Sequence, residues 1–292
     1  MKKGFIPALG TPLDQNGNFC AESYKKQIED QLKAGAVGVL VMGSMGQQAF
    51  LPTEIAPQVA EVAVEAVAGR VPVFVGCMDC SIAKATKRMA SMEHLDITGF
   101  VFTSPYYEAC TSQEMGNFLE GVVKATKHKI YLYDLPSVTQ FGMDYDSVVE
   151  WVKKMPNIAG VKSGNLRLMR LLKLSDELPE DFNLLYSGLD TFDVAYKWGI
   201  TNCLDGMATC TPVNFNKLFT AMEAGDYEAA QKYLGNIVAL RDFFLARDLW
   251  PAYSVAMNLL GYEGNHAPDY TLPLQEGYLE EIRAELIRIG EL

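Results

Sequence analysis

The sequence has few of the residues that hold disulfide-rich or metal-binding proteins together. Its 292 residues include six cysteines and three histidines. Six cysteines in so long a chain do not make a disulfide framework, so we expect reduced, mostly buried thiols. The histidines His94, His128 and His266 show no ligand spacing, so no metal site is expected.

Long apolar runs and an excess of positive charge are also missing. No apolar run reaches the length of a membrane span, and the opening residues 1–7 lack the apolar core of a signal peptide. We therefore expect a cytoplasmic protein with no membrane partner. The formal net charge of -11 repels nucleic acid, so no nucleic-acid partner is expected either, and an anionic substrate would need a local positive pocket.

Short runs rich in valine, isoleucine and aromatic residues recur at the spacing of one strand plus one helix, which is typical of a parallel sheet covered by helices. The eight runs are Phe5–Ala8, Val37–Val41, Val71–Val75, Gly99–Phe102, Ile130–Tyr133, Ala159–Val161, Leu184–Tyr186 and the weak Cys203–Leu204. No G-x-G-x-x-G pattern follows any of them, which argues against an open dinucleotide-binding sheet.

Helical patterns lie between these runs. In one of them Ile55, Val59, Val62 and Ala66 share a face, with Thr53 as the expected N-cap and Gly69 as the stop. Eight strand–helix units over residues 1–225 predict an α/β fold, a (β/α)₈ TIM barrel that forms the catalytic domain.

Residues 226–292 are predicted to form a C-terminal helical region, because the strand signal disappears there. One amphipathic pattern surrounds Leu234, Ile237 and Val238, and a second contains Leu279, Ile282, Leu286 and Ile289. Their apolar faces need a partner, which could be the barrel's ring of helices or a neighbouring subunit.

The C-terminal ends of the predicted strands carry the candidate reactive groups, as expected in a barrel of this kind. Lys162 and Tyr133 end adjacent strands, so an amine and a phenol should face each other in a dry pocket. A desolvated lysine loses part of its preference for the charged form and can attack a ketone, which suits imine chemistry on a 2-keto acid. Ser44 and Tyr107 supply further hydroxyl groups for a proton relay.

Two shorter motifs are less specific. The turn Gly43–Gly46 offers backbone N–H groups and one hydroxyl to a small carboxylate or phosphate, although such turns are usually only turns. Cys77 and Cys80 form a C-x-x-C that a redox enzyme could use. The surrounding pattern is a barrel rather than a thioredoxin-like unit, so the redox interpretation is disfavoured.

Taken in order, four motifs resemble the pyruvate-dependent class I aldolases, a family that includes dihydrodipicolinate synthase and N-acetylneuraminate lyase. Gly10–Leu13 resembles the family's opening, Gly43–Gln47 its G-[ST]-T-G-E turn, residues 133–136 its Y-N-x-P, and residues 160–162 its G-[IV]-K. The match spans nearly the whole chain. Such a combination at these spacings is far more specific than any one motif.

The resemblance implies a role for each of these residues. Lys162 would form the Schiff base with the keto acid, without a separate cofactor, and Tyr133 would shuttle the proton. Ser44 with the backbone of Met45 would hold the carboxylate, and Tyr107 would come from a neighbouring subunit of a homo-oligomer, a dimer or a tetramer. The residues expected to line the substrate site are Gly43, Ser44, Met45, Gly188, Asp190, Met207 and Ala208.

Several positions depart from the family's patterns. Val138 stands where the synthase branch has an arginine for the second substrate's carboxylate, which argues against a role in lysine biosynthesis. Gly164 and Thr191 replace a threonine and a glutamate expected in a sialic acid lyase. Met45 and Gln47 change the floor of the site.

These departures leave the imine machinery without either well-known specificity signature. We therefore predict a lyase that cleaves a 2-keto-3-deoxy sugar acid, or a similar adduct, to pyruvate and an aldehyde. A dehydratase that uses the same imine is the nearest alternative, and a barrel that only binds a keto acid is another. A phosphate-binding isomerase is disfavoured, because Asp190 places an acid where the phosphate would bind.

Overall fold

Eight buried parallel strands form the centre of the computed structural model, which describes residues 1–292. They are β1 (Gly4–Pro7), β2 (Val39–Val41), β3 (Val73–Gly76), β4 (Gly99–Phe102), β5 (Lys129–Asp134), β6 (Ile158–Ser163), β7 (Asn183–Tyr186) and β8 (Asn202–Asp205). Neighbours pair in the order β1-β8-β7-β6-β5-β4-β3-β2. A parallel bridge between Ala8 and Leu40 joins the two ends of this order. The predicted TIM barrel is confirmed.

All eight predicted strands lie at strands of the barrel, and in all but β4 at least one end is shifted. The β4 prediction matches both ends, whereas β5 and β6 each extend to six residues. This extension places Tyr133 and Lys162 inside strands rather than at their last residues. The weakly predicted β8 is four residues long, and Leu204 contributes to the interior of the barrel.

Alternate strand residues point into the barrel, as the pleat of a strand requires. They form a small interior cluster separate from the larger core between strands and helices. The members of the interior cluster are Ile6, Ala8, Leu40, Phe74, Met78, Val101, Tyr131, Tyr133, Leu185 and Leu204. Lys162 pairs in register with Tyr133 on one side and Leu185 on the other. Its side chain therefore points inward above a closed apolar floor.

Twelve helices surround and extend the barrel. They are α1 (Ala21–Lys33), α2 (Ile55–Val67), α3 (Ile82–Met92), α4 (Ser112–Val123), α5 (Pro136–Thr139), α6 (Tyr145–Lys154), α7 (Leu166–Lys173), α8 (Phe192–Lys197), α9 (Pro212–Ala224), α10 (Tyr227–Leu245), α11 (Leu249–Leu259) and α12 (Tyr278–Ile289). None of them is long and apolar enough to cross a membrane.

The predicted ends of α2 were partly wrong. Thr53 is not the N-cap, because the helix begins one residue later than that assignment requires, with Glu54 as a cap that makes no side-chain hydrogen bond. At the other end Ala68 already has a left-handed backbone with φ of 49°, and Gly69 continues the turn with φ of 70°. The helix therefore ends just before the predicted stop.

The segment after Gly225 contains three helices where the sequence predicted two. α10 and α12 match the predicted amphipathic patterns, whereas α11 was missed because its sequence, LWPAYSVAMNL, is apolar with no clear face and contains a proline. α10 packs on α9, a helix of the barrel's ring, and α11 packs on α12. The division of the chain at residue 225 stays a prediction.

Glu291 joins the C-terminal segment to the barrel's last ring helix. Its carboxylate accepts hydrogen bonds from the backbone N–H groups of Val213 and Asn214 at 3.1 and 2.8 Å, and from the Asn214 amide at 2.7 Å. The contact caps the N-terminus of α9, where the helix dipole favours a negative charge. Burial nevertheless raises the pKa of the Glu291 carboxyl, and the three hydrogen bonds partly offset that rise.

Candidate active site

Lys162 and Tyr133 face each other at the C-terminal end of the barrel. They are directly paired on β6 and β5, and each is only 5% exposed. The Lys162 Nζ lies 3.8 Å from the centre of the Tyr133 ring, a distance at which the aromatic face attracts a cation. The predicted juxtaposition of amine and phenol is therefore present in the structure.

Ser44 brings a second hydroxyl to this pair. Its Oγ lies 3.3 Å from the Tyr133 hydroxyl, and either atom can donate. Ser44 belongs to the turn after β2, which is bracketed by Met42 and Gln47 with left-handed φ values of 52° and 59°. A Cβ at Gly46 would lie 2.9 Å from the Leu9 carbonyl oxygen, so the turn requires glycine there. The sequence therefore folds locally so that Ser44 points at the phenol.

Met45, in the β2 turn, packs against the β8 turn. A side chain at Gly206 would collide with the Met45 Cγ, so the thioether lies directly on the backbone at Gly206. The residues after that glycine, Met207 and Ala208, are buried in a short 3₁₀ turn. Met45 therefore forms an apolar contact between the predicted carboxylate turn and the turn after β8, on the far side of β1.

Asp190 follows β7 in another 3₁₀ turn, but its carboxylate already has a partner. Arg241 on α10 donates to both of its oxygens, at 2.7 and 2.8 Å, and also bonds Asp242. This bidentate contact lowers the pKa of Asp190 below its usual value. Asp190 and Arg241 therefore form a unit at the rim, with Asp190 65% exposed and Arg241 23% exposed.

Asp205 is an acid at the end of β8 whose importance the sequence did not indicate. Its Oδ1 accepts a hydrogen bond from the Met207 N–H at 2.8 Å. Burial raises the pKa of the Asp205 carboxyl, while that hydrogen bond and the nearby charges of Lys162 and Arg241 act in the opposite direction. Asp205 therefore adds to the electrostatic surroundings of the lysine.

Tyr107 lies apart from the cluster in this single chain. Its side chain is 81% exposed, the highest value among the large hydrophobic residues at the surface. Gly188 lies beside the Tyr186 hydroxyl, where a side chain would collide with it. The structure thus brings together Lys162, Tyr133 and Ser44 but not Tyr107, whose role stays a prediction.

The C-x-x-C motif does not have the surroundings of a redox centre. Cys77 is buried, its Sγ contacts the Ala85 carbonyl oxygen at 3.8 Å, and burial raises the pKa of the thiol. A raised pKa disfavours the thiolate that exchange requires. All six cysteines are free thiols. No group of three or more histidine, cysteine or acidic residues is placed to hold a metal ion.

Sequence reasoning missed Arg241 and Asp205 for different reasons. Arg241 contacts Asp190 across 51 residues, so no local pattern links the two. Asp205 follows the weakest predicted strand, and its proximity to Lys162 depends on the curvature of the barrel. The position of Asp205 at a strand end was the only signal that could have indicated it.

Comparison with known proteins agrees with this geometry. A family model described as the Dihydrodipicolinate synthetase family matches residues 1–288. The chain is 27% identical to a 4-hydroxy-tetrahydrodipicolinate synthase of Bartonella quintana, covering 100% of this chain and 99% of the relative. It is also 27% identical to the protein of the same name from Neisseria meningitidis, with full coverage of both.

Solved structures show the same fold. The YagE prophage protein of E. coli, solved in complex with pyruvate, superposes with a TM-score of 0.90 at 20% identity over the full length of both chains. A dihydrodipicolinate synthase from Thermotoga maritima gives 0.90 at 22% identity, again over both full lengths. By the match over residues 1–288, the chain belongs to the dihydrodipicolinate synthetase family, whose members are pyruvate-dependent carbon–carbon lyases that act through a lysine imine and no separate cofactor.

Proposed function

We propose that this protein reversibly cleaves a 2-keto-3-deoxy sugar acid, or a similar hydroxylated 2-keto acid, to pyruvate and an aldehyde, with Lys162 as the imine-forming residue. The observation that carries the proposal is the buried contact of the Lys162 amine with Tyr133, whose hydroxyl lies 3.3 Å from Ser44. An amine beside a hydroxyl relay in a largely closed pocket is suited to imine formation and proton transfer.

The reaction begins when the Lys162 amine attacks the C2 carbonyl of the keto acid. The resulting carbinolamine loses its hydroxyl as water with a proton from Tyr133, which leaves an iminium ion and the Tyr133 phenolate. Tyr133, as a phenolate, takes the proton of the C4 hydroxyl, and the C3–C4 bond breaks. The electrons of that bond move into the iminium to give an enamine, while the C4 end leaves as an aldehyde. Protonation of the enamine at C3 and hydrolysis then release pyruvate and the free lysine.

The acid end of the substrate is assigned to the β2 turn. Ser44 provides one hydroxyl there, and the backbone at Met45 provides an N–H donor. Met45 itself adds an apolar surface against Gly206 rather than a second hydroxyl. Gly43, Gly188, Met207 and Ala208 complete the lining, and Asp190 with Arg241 provides polar groups for the distal end.

The choice of a hydroxylated, uncharged distal end depends on the β5 loop. Val138 lies in α5, the short helix that opens this connection, is 57% exposed, and its side chain offers neither charge nor hydrogen bond to a second carboxylate. After β7, Arg241 is neutralised by Asp190 and Asp242. Polar but uncharged hydroxyl groups suit such a rim better than an anionic aldehyde does.

The exposed Tyr107 supports assembly into a homo-oligomer. In the proposed dimer or tetramer, the phenol of Tyr107 from one subunit reaches the Ser44–Tyr133 pair of its neighbour. Tyr107 is 81% exposed in the single chain, and a partner that covered its ring would remove apolar surface from water.

Borohydride reduction in the presence of pyruvate tests the proposal directly. We expect a covalent three-carbon adduct, detected by mass spectrometry, on the peptide that contains Lys162. Lys129→Met is the matched control, because Lys129 lies at the opposite, exposed end of the neighbouring strand; this variant should keep the adduct, and Lys162→Met should lose it. A folded wild-type protein that gains no adduct at saturating pyruvate would support the binding-only alternative.

The substrate class is tested with a panel of 2-keto-3-deoxy sugar acids. Pyruvate release, followed by coupled reduction with lactate dehydrogenase, is the expected result. Loss of water without pyruvate would instead identify the enzyme as a dehydratase using the same imine.

A further inference from the structure

The residues that directly follow Tyr133 and Lys162 are linked to each other by a buried hydrogen bond. Asp134 is 4% exposed and Ser163 is fully buried. The Ser163 hydroxyl donates to Asp134 Oδ2 at 2.6 Å. Because side chains alternate along a strand, both point out of the barrel while Tyr133 and Lys162 point in. The link therefore lies behind the reactive pair rather than within the substrate pocket.

Each partner in this link makes a second contact that reaches another element. The other oxygen of Asp134 accepts the Met143 N–H at 3.0 Å, in the loop between α5, which carries Val138, and α6. The Ser163 Oγ accepts the Asn165 N–H at 2.9 Å, and Asn165 is the N-cap of α7. One carboxylate thus connects β5, β6, the start of α7 and the loop that leads to α6.

Each hydrogen bond in this network has only one possible donor. A carboxylate has no proton to give, so Ser163 must donate to Asp134, and the serine's lone pairs are then left for the Asn165 N–H. Both oxygens of Asp134 therefore have a donor. A buried carboxylate without its full set of donors is strongly unfavourable, so this arrangement resists sliding of β5 against β6.

We infer that Asp134 and Ser163 are positioning residues for the proposed imine reaction, because they fix the distance between the Lys162 amine and the Tyr133 hydroxyl. The inference rests on the proposed function. It adds that the reactive geometry is set by an ionic hydrogen bond behind the strands, not only by the apolar floor of the barrel. Neither residue touches the substrate, and each acts through the backbone of the residue before it.

The test measures the rate at which borohydride traps pyruvate on Lys162, in variants kept well below their melting temperature. Ser163→Ala removes the donor to Asp134, and a reactive group displaced by a fraction of an ångström should slow trapping by roughly tenfold. Asp134→Asn keeps the shape but has a single acceptor oxygen, so it should slow trapping by roughly threefold, between wild type and Ser163→Ala. The pyruvate concentration for half-saturation should change less than the maximal rate.

Ser175→Ala is the matched control. The Ser175 hydroxyl also has a side-chain partner, Tyr145 at 2.8 Å, and also accepts a backbone N–H from two residues later, that of Glu177. It lies beyond α7 and not beside the lysine. Its loss should lower the melting temperature without slowing the trapping of pyruvate.

The order of rates decides the inference. The inference is supported if wild type and Ser175→Ala trap pyruvate fastest, Asp134→Asn is slower, and Ser163→Ala is slowest. It is overturned if Ser163→Ala traps pyruvate as fast as Ser175→Ala does. In that case the adduct on wild-type Lys162 would still support the proposed function. If Ser163→Ala does not fold, Asp134→Asn decides alone, and an unchanged rate overturns the inference. Absence of trapping in the wild type would overturn both proposals together.

Discussion

Two neighbouring sides of the barrel mouth, β5–β6 and β7–β8, are built differently. The β5–β6 side carries Tyr133 and Lys162 within two six-residue strands, and the hydrogen bonds behind them close on the same two strands. The β7–β8 side has strands of four residues and presents Asp190 and Met207 on short turns. Arg241, which holds one of those turns, comes from α10 in a distant part of the sequence.

This difference separates the residues proposed to carry out the reaction from those proposed to select the substrate. Groups inside paired strands are held to a fraction of an ångström, which a proton relay requires. Groups on short turns can change with less effect on the fold, which suits contacts that choose among substrates. The proposed reaction and the proposed specificity therefore depend on neighbouring parts of one pocket, and mutations in one part should leave the other part's contribution unchanged.

The largest effect should follow a change on the β5–β6 side. Tyr133→Phe keeps the ring beneath the Lys162 amine but removes the hydroxyl, so turnover should fall by about 10²–10⁴, the usual contribution of a general acid–base group. Trapping of pyruvate should fall much less. Steady-state kinetics and borohydride trapping measure the two effects.

Tyr131→Phe is the control for that substitution, since Tyr131 lies on the same strand and the same inner face but below the site. It should retain turnover. Equal losses of turnover and of trapping in Tyr133→Phe would contradict the relay role and would erase the distinction between the two sides.

A smaller effect is expected on the β7–β8 side. Arg241→Gln frees Asp190 from its bidentate partner, so the value of kcat/KM for a sugar acid should fall roughly tenfold, an effect moderated by the exposure of Asp190. Pyruvate trapping should not change. Together, kcat/KM and the trapping rate show whether Arg241 affects only the choice of substrate.

Arg247→Gln is the comparison variant, because Arg247 also pairs with an acid, Glu281 at 2.7 Å, in the same part of the chain. It should leave kcat/KM unchanged. If Arg241→Gln slowed trapping as much as cleavage, the β7–β8 side would be part of the reaction and the proposed separation would be wrong.

The smallest effect on activity should come from a residue outside both sides. His266 is fully buried, and burial lowers its pKa from 6.5 to about 4. Above pH 6.5 the ring is neutral in both the folded and the unfolded chain. As the pH falls from 6.5 towards 4, the unfolded chain binds a proton first, so up to about 3 kcal/mol of stability is lost in that interval.

Urea unfolding at pH 7, 5.5 and 4.5 measures this loss. His266→Gln should flatten the dependence of the unfolding free energy on pH in that window, whereas the exposed His94→Gln should not. Activity per folded molecule should be the same in both variants at pH 7. An equally steep dependence in His266→Gln would assign the loss to other groups.

Local patterns in the sequence were enough to predict the β5–β6 side. Tyr133 and Lys162 each end an apolar run, and barrel topology then requires adjacent strands to bring them together. Ser44 follows from the same logic, since its turn comes directly after β2. These predictions needed only strand periodicity and the rule that reactive groups lie at the C-terminal ends of strands.

The rest depends on contacts that no local pattern records. The pairing of Arg241 with Asp190 spans 51 residues, and the hydrogen bond from Ser163 to Asp134 spans 29. α11 has no polar face to indicate its orientation, because it is buried among other helices. The N-cap of α2 was misplaced because Glu54, which caps the helix, makes no side-chain hydrogen bond there.

The cap that Glu291 provides for α9 depends on the order in which the ribosome makes the chain. The N–H groups that it satisfies belong to residues made 77 and 78 positions earlier. While the polypeptide emerges from the ribosome, the start of α9 must remain hydrated or find a temporary acceptor until that carboxylate arrives. This cap of α9 can therefore form only after residue 291 has been made and has left the ribosome.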